Sequence, residues 1–254
     1  MSELRDVFDR KIDITTVVDD ISPKDEMFLG NKEHFFQVGQ SALQCIKLAI
    51  LASGRDISDI TKILDLPCGY GRVMRMMSLA FPEAKLTGCD LLHDGVDFCA
   101  QMFGANKLYS DKRIKNVETN EKFDLIWCGS LLTHLDSGQW EEFFNFFNEA
   151  LAPGGILVFT THGRYVANLM RSNKCNYGID NNDKLAKVVD DYRLKGFGYS
   201  NYPNSDEYGI SVSSPSFVLD LLEQQSGLRI LTYLEKGWDN HQDVIACIKC
   251  FPET

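Results

Sequence analysis

Residues Ile63-Leu64-Asp65-Leu66-Pro67-Cys68-Gly69-Tyr70-Gly71-Arg72 constrain this chain more than any other stretch. A short apolar run ends in an aspartate, a tight turn with two glycines follows, and a helical pattern begins near Arg72. That is the pattern of a buried strand feeding a loop sized for a nucleotide-like ligand. Gly69 and Gly71 remove side chains where backbone must come close to a ligand. A helix starting at Arg72 aims free N–H groups at the same spot, which suits a carboxylate or another anion. Asp90 lies 19 residues after Gly71, at the end of Lys85-Leu86-Thr87-Gly88-Cys89. That spacing fits an acid that accepts hydrogen bonds from ribose hydroxyls.

Strand and helix patterns alternate around this loop. Strands are expected near 62–66, 85–89, 107–110, 123–128 and 156–161, and helices near 41–53, 72–80, 93–103 and 137–151. Gly54, Pro82 and Gly104 close helices, and Pro153-Gly154-Gly155 makes the turn after the helix at 137–151. Alternating units imply a mostly parallel sheet with helices on both faces. The tail reads as a helix over 215–226 and two strands, 228–235 and 243–250, joined by Lys236–Gln242 at hairpin length.

The stretch 163–208 breaks the rhythm and is too long for a structureless connection. Leu185, Val188, Val189 and Tyr192 follow the spacing of an amphipathic helix, with Asn182 or Asp183 as its N-cap and Gly196 beyond its end. Phe197, Tyr199, Tyr202 and Tyr208 follow. This insertion reads as a substrate lid; an accessory helix padding the sheet edge is the plainer alternative. Residues 1–40 are polar and interrupted, with Phe28, Phe35 and Phe36 as anchors, and read as an N-terminal cap segment. One domain over 1–254 accounts for the length.

The loop residues Asp65, Gly69 and Gly71 resemble the first motif of class I S-adenosylmethionine (SAM)-dependent methyltransferases, a pattern of aspartate and alternating glycines. Pro67 stands where that motif has its first glycine. Proline fixes φ and removes an N–H, so the turn must form with negative φ there. The dinucleotide pattern Gly-x-Gly-x-x-Gly needs glycine at Met74 and fails. The resemblance covers about 42–161 and 215–250. It implies a Rossmann-like, seven-stranded α/β sheet, mostly parallel, with an antiparallel last strand, the lid following strand five, and SAM as cofactor.

Composition limits the partners. The 26 basic and 36 acidic residues leave a net charge of −10, which disfavours nucleic acid and anionic membranes. The basic group Lys107, Lys112, Arg113 and Lys115 reads as a solvated loop face. The most apolar run, Cys45–Ala52, contains Lys47 and is too short to span a bilayer. The 8 cysteines are scattered, without zinc spacing, and Cys247 and Cys250 fall on opposite faces of a strand. Asp180-Asn181-Asn182-Asp183 has the look of an acidic metal-binding run but is explained by a helix cap, so no metal is expected. A cytoplasmic location follows from the absence of a secretory pattern at the N-terminus.

Ligands of open α/β sheets bind beyond the carboxyl ends of the strands. That rule, with the resemblance, selects Asp65, Pro67, Gly69 and Gly71 after strand one. After strand two it selects Asp90, with Leu91 and Leu92 packing on adenine. Asp111 follows strand three, where the family can hold the adenine amino group, and Cys128 and Ser130 follow strand four, at the methionine half. A hydroxyl acceptor benefits from a general base. His162, directly after strand five, and His241, in the last hairpin, are the candidates; His134 reads as structural. The expected activity is O-methylation of a small molecule or carbohydrate. A non-catalytic SAM-binding module and an aminopropyltransferase are the alternatives. A nicotinamide oxidoreductase is disfavoured by Met74.

Overall fold

The computed structural model describes residues 17–251. Its main sheet contains β1 (Lys62–Asp65), β2 (Lys85–Asp90), β3 (Asn106–Tyr109), β4 (Phe123–Cys128), β5 (Leu151–Thr161), β8 (Leu228–Trp238) and β9 (Gln242–Lys249). A two-stranded sheet pairs β6 (Phe197–Asn201) with β7 (Gly209–Ser213). The helices are α1 (Lys32–Ser53), α2 (Met74–Ala80), α3 (His93–Phe103), α4 (Ser137–Ala150), α5 (Arg164–Arg171), α6 (Asn182–Lys195) and α7 (Pro215–Glu223).

The main sheet runs β3-β2-β1-β4-β5-β9-β8. The first five strands are parallel, and β9 is antiparallel to both β5 and β8. Strand alternation splits the core in two. Ile63, Leu125, Trp127, Ile156 and Val158 pack under Leu43, Ile46, Met74 and Val96 of α1–α3. Leu64, Ile126, Cys128, Leu157 and Phe159 pack under Trp140, Phe144, Phe147 and Val218 of α4 and α7. The strand order reverses between β1 and β4, which opens a crevice at their carboxyl ends.

The expected elements form, with shifted edges. Asn31 caps α1 by accepting from His34 N, so that helix starts well before residue 41 and includes Phe35. By length and composition α1 could cross a bilayer, but its Ala42, Leu43, Ile46 and Ile50 stripe is buried in the protein. Lys47 is buried with it, and desolvation lowers its pKa. β5 begins at Leu151, so Pro153-Gly154-Gly155 is no turn before the strand. It is an irregularity within it, moving the pairing from Phe123↔Leu151 to Leu125↔Ile156.

The insertion comprises α5, α6, β6 and β7, and so continues to Ser213. It has its own small core of Val166, Met170, Leu185, Val188, Ile210 and Val212. Asn181, not Asn182 or Asp183, caps α6, accepting from the backbone of Asp183 and Lys184, and Gly196 ends the helix in the left-handed region. The insertion docks on the main domain through Ser211 Oγ to Leu132 O at 2.9 Å and Gln139 Nε2 to Glu207 O at 3.1 Å. α6 and β6 meet at Gly198, where a Cβ would collide with the Val188 carbonyl. Gly198→Ala is therefore expected to destabilise the protein by about 1–3 kcal/mol as an overpacked contact. Thermal unfolding measures this; an unchanged Tm would contradict it.

Candidate active site

The glycine loop leaves β1 and lies over the carboxyl end of β2, beside the β1–β4 crevice. Gly69 and Gly71 take φ of 49° and 79°, and the Leu66–Pro67 peptide is cis. Cys68 N donates to Cys89 O at 3.0 Å. Asp90 holds the loop from the other side: Oδ2 accepts from Gly69 N at 2.7 Å and Oδ1 from Leu92 N at 2.9 Å. Burial raises the pKa of Asp90, and these donors oppose the rise. Each carboxylate oxygen keeps a further acceptor site, as a ribose diol requires. Gly95 of α3 lies flush on the loop; a Cβ there would stand 2.5 Å from Gly69 O. Leu91 and Leu92 are each 55% exposed beside Asp90, so they are apolar surface at the cleft and not core. The left-handed Gly71 delays the helix, and α2 starts at Met74, past the expected Arg72.

Asp65 is 2% exposed, and neither carboxylate oxygen has a hydrogen-bond partner among the described residues. Burial, reinforced by the charge of Asp90, raises its pKa well above the usual range. The Arg72 guanidinium sits over the rings of Phe35 and Trp238, at 5.9 and 5.6 Å, close enough to Asp65 for their charges to interact. A buried acid without donors beside a stacked cation suits the ammonium and carboxylate of an amino-acid group. The chemistry of these side chains fits the methionine end of SAM. Sequence reasoning missed Arg72 as a ligand-binding candidate; its place directly after the second glycine was the available signal. Arg75 secures the N-terminal segment to the same loop, donating to Val18 O at 2.5 Å and Gly71 O at 3.2 Å.

The other expected cofactor residues differ in what they offer. The Cys128 side chain is fully buried in the core under α4, so only its backbone borders the crevice. Ser130, at φ 57°, donates its N–H to Thr160 Oγ1 at 2.8 Å, and its hydroxyl accepts from Gln242 Nε2 at 2.9 Å. Thr160 closes the ring by donating to Gln242 Oε1 at 2.5 Å. Asp111 is exposed and caps its own turn, accepting from Arg113 N and Asn116 Nδ2, both at 2.9 Å.

His162 and His241 do come together at the carboxyl edge, with ring centroids 5.8 Å apart. Tyr177 joins them, its hydroxyl 3.3 Å from His241 Nε2. His162 is 5% exposed, its Nδ1 has no partner among the described residues, and burial depresses its pKa to about 3. His241 is half-buried, and desolvation lowers its pKa as well. A second group of rings stands nearby: His134 stacks on Tyr208 at 4.8 Å and meets Tyr202 at 5.9 Å. Tyr177, Tyr202 and Tyr208 belong to the insertion, which thus contributes rings to both groups.

A parallel sheet with its ligand loop at the β1–β4 reversal, an acid ending β2, and an antiparallel strand between β5 and β8 defines the class I, Rossmann-like methyltransferase fold. Residues 64–157 match the family described as methyltransferase domain. Over those residues the chain carries a methyltransferase domain, and its fold is that of class I SAM-dependent methyltransferases. It is similar to malonyl-[acyl-carrier protein] O-methyltransferase 2 of Ilyobacter polytropus, 23% identical over 111 residues, 43% of this chain and 42% of that protein. The match thus spans less than half the length of that relative. Its fold is similar to a SAM-dependent methyltransferase of Clostridium acetobutylicum, at TM-score 0.58 and 15% identity, covering 84% of this chain and 92% of that one. It is also similar to the N-methyltransferase NodS of Bradyrhizobium japonicum bound to S-adenosylhomocysteine, at TM-score 0.54 and 18% identity, covering 91% and 94%.

Two outcomes follow from the buried ionisable groups. Asp65→Asn removes a buried carboxyl that lacks hydrogen-bond partners and is costly to ionise, so the ligand-free protein is expected to gain about 1 kcal/mol, a Tm rise of about 2–4 °C. SAM affinity should fall at the same time; a variant that loses stability and keeps affinity would refute this role. His162 is held neutral by the fold, with its pKa lowered from 6.5 to about 3. Its contribution to stability is intact above the unfolded pKa, erodes as pH falls below that value, and is gone below the folded one. His162→Gln is therefore expected to flatten the loss of stability between about pH 6.5 and 3, as read from urea unfolding across that range.

Proposed function

We propose that this chain transfers the methyl group of SAM to a hydroxyl of a small molecule or carbohydrate. The observation that carries the cofactor half is Asp65, a buried acid without donors, set beside Arg72 under the loop that Asp90 clamps. The acceptor half rests on the rings at the carboxyl edge. His162 and His241 are proposed to border the acceptor, with an unprotonated imidazole of this edge taking its proton. Transfer from a sulfonium needs mainly alignment, and a hydroxyl needs, in addition, a group to receive its proton. The names of similar proteins include both an O- and an N-methyltransferase, so the hydroxyl is our reading of the imidazoles. The insertion is proposed as the lid over this chamber.

A nucleic-acid acceptor fits poorly. Lys107 pairs with Asp97, and Arg113 and Lys115 pair with Glu142, so most of the basic loop face is matched by acids. All eight cysteines are free, in keeping with a reducing cytoplasm, which is part of the same proposal.

Titration calorimetry is expected to show SAM and S-adenosylhomocysteine binding, and NAD binding far weaker. Asp90→Ala should reduce SAM affinity about tenfold or more, because it removes a charged acceptor and frees Gly69 N. Incubation with methyl-labelled SAM and pooled phenols and glycosides should place label on a hydroxyl. Tight NAD binding, or unaltered SAM affinity in the variant, would sink the assignment; binding without any labelled product would favour a non-catalytic module.

A further inference from the structure

His134 ends the 3-10 turn Leu132–His134 that follows β4, at the edge of the β1–β4 crevice. Its Nδ1 lies 2.9 Å from Gly209 O, the first residue of β7. A carbonyl oxygen only accepts, so Nδ1 carries the proton. The Tyr202 hydroxyl oxygen, 3.1 Å from the same nitrogen, shares that hydrogen. In the neutral ring, Nε2 is then the bare nitrogen. Nε2 has no hydrogen-bond partner among the described residues and is not among the fully buried polar atoms that lack one. It is therefore an accessible lone pair of fixed orientation.

The other two imidazoles of this edge are less suited to receive a proton. His162 is nearly sealed. His241 shares its Nε2 with the Tyr177 hydroxyl. His134 stacks on Tyr208, and that phenol is close enough to Asp90 to feel its charge, so the pair stands on the cofactor side of the chamber. Desolvation lowers the pKa of His134, which keeps the ring neutral and able to accept.

We propose that His134 is the general base, and that the insertion makes it one by fixing its tautomer through the Gly209 carbonyl. The proposal rests on the methyl-transfer reading above. The acceptor oxygen bonds the methyl carbon, the carbon–sulfur electron pair returns to sulfur, and the hydroxyl proton passes to Nε2. The products are the methyl ether, S-adenosylhomocysteine and an imidazolium. Sequence reasoning placed the base at His162 or His241 because those positions follow a strand and a hairpin. The decisive contact comes from residue 209, far along the chain.

The test uses His134→Asn, whose side-chain amide stands where Nδ1 was and still donates to Gly209 O while Nε2 is lost. Nitrogen-15 imidazole correlation spectra of the ligand-free wild type, assigned by that variant, should show His134 protonated on Nδ1 with Nε2 bare. With the hydroxyl acceptor from the labelling screen, turnover of His134→Asn should fall about 10²-fold or more. Added imidazole should restore part of it. S-adenosylhomocysteine affinity should stay within about threefold, consistent with a loss confined to the chemical step. A proton on Nε2 overturns the proposal, as does near-normal turnover of the variant or a comparable loss confined to His241→Gln. Failure of the wild type to bind S-adenosylhomocysteine would instead overturn the methyl-transfer reading itself.

Discussion

One carboxylate organises the cofactor side of this protein. Asp90 ends β2 and spends an oxygen on each of two backbone N–H groups, Gly69 and Leu92. The first bond holds the glycine loop down beside the crevice; the second shapes the start of α3, whose Gly95 then packs on the same loop. Backbone donors around a buried acid are the least costly way to keep it in a dry place, since they need no counter-charge. Asp65, at the end of the neighbouring strand β1, has no such donors. The contrast divides the labour. One acid supports the loop, and the other has only the nearby charge of Arg72 to offset its burial.

Much of this was legible in the sequence. Strands buried on both faces wrote themselves as short apolar runs, and glycine and proline marked the ends of the helices. The loop, Asp90 and the closing hairpin were all readable, because each depends on residues close together in the chain. What escaped depends on distant contacts. α1 begins at Lys32, after its Asn31 cap, among polar residues whose helical face is visible only once Phe35 is packed. The strand β7 is short and mixed in composition, and its side chains are all buried by elements from elsewhere. Cys128 was read as a cofactor contact, yet strand alternation sends its side chain under α4 with Phe159. Arg72 and His134 acquire their meaning from Trp238 and Gly209, which no local pattern links to them.

The two ring groups at the carboxyl edge show how the insertion enters the site. The main sheet supplies His134, His162 and His241 from three separate connections, and the insertion supplies tyrosines between them. Tyr177 and Tyr202 are half-buried while Tyr208 is 45% exposed, and burial pushes Tyr177 above its ordinary pKa and Tyr202 up to about 12. They therefore stay protonated and act as donors and flat walls. On the reading proposed above, such groups favour an acceptor by shape and hydrogen bonding more than by charge.

The backbone of Ser213 donates to the carbonyl of His162 at 2.8 Å. The chain thus leaves the main domain and returns to it at nearly one point, with a four-element unit carried between. That unit has its own apolar core and docks on the rest through polar contacts, the ring groups and Phe197, which packs against Trp140 and Phe217. A side loop closed at its base can be exchanged for another without disturbing the register of the strands beneath it. On the readings proposed above, new substrates are then a matter of grafting, and a graft must keep an oxygen where Gly209 now presents its own.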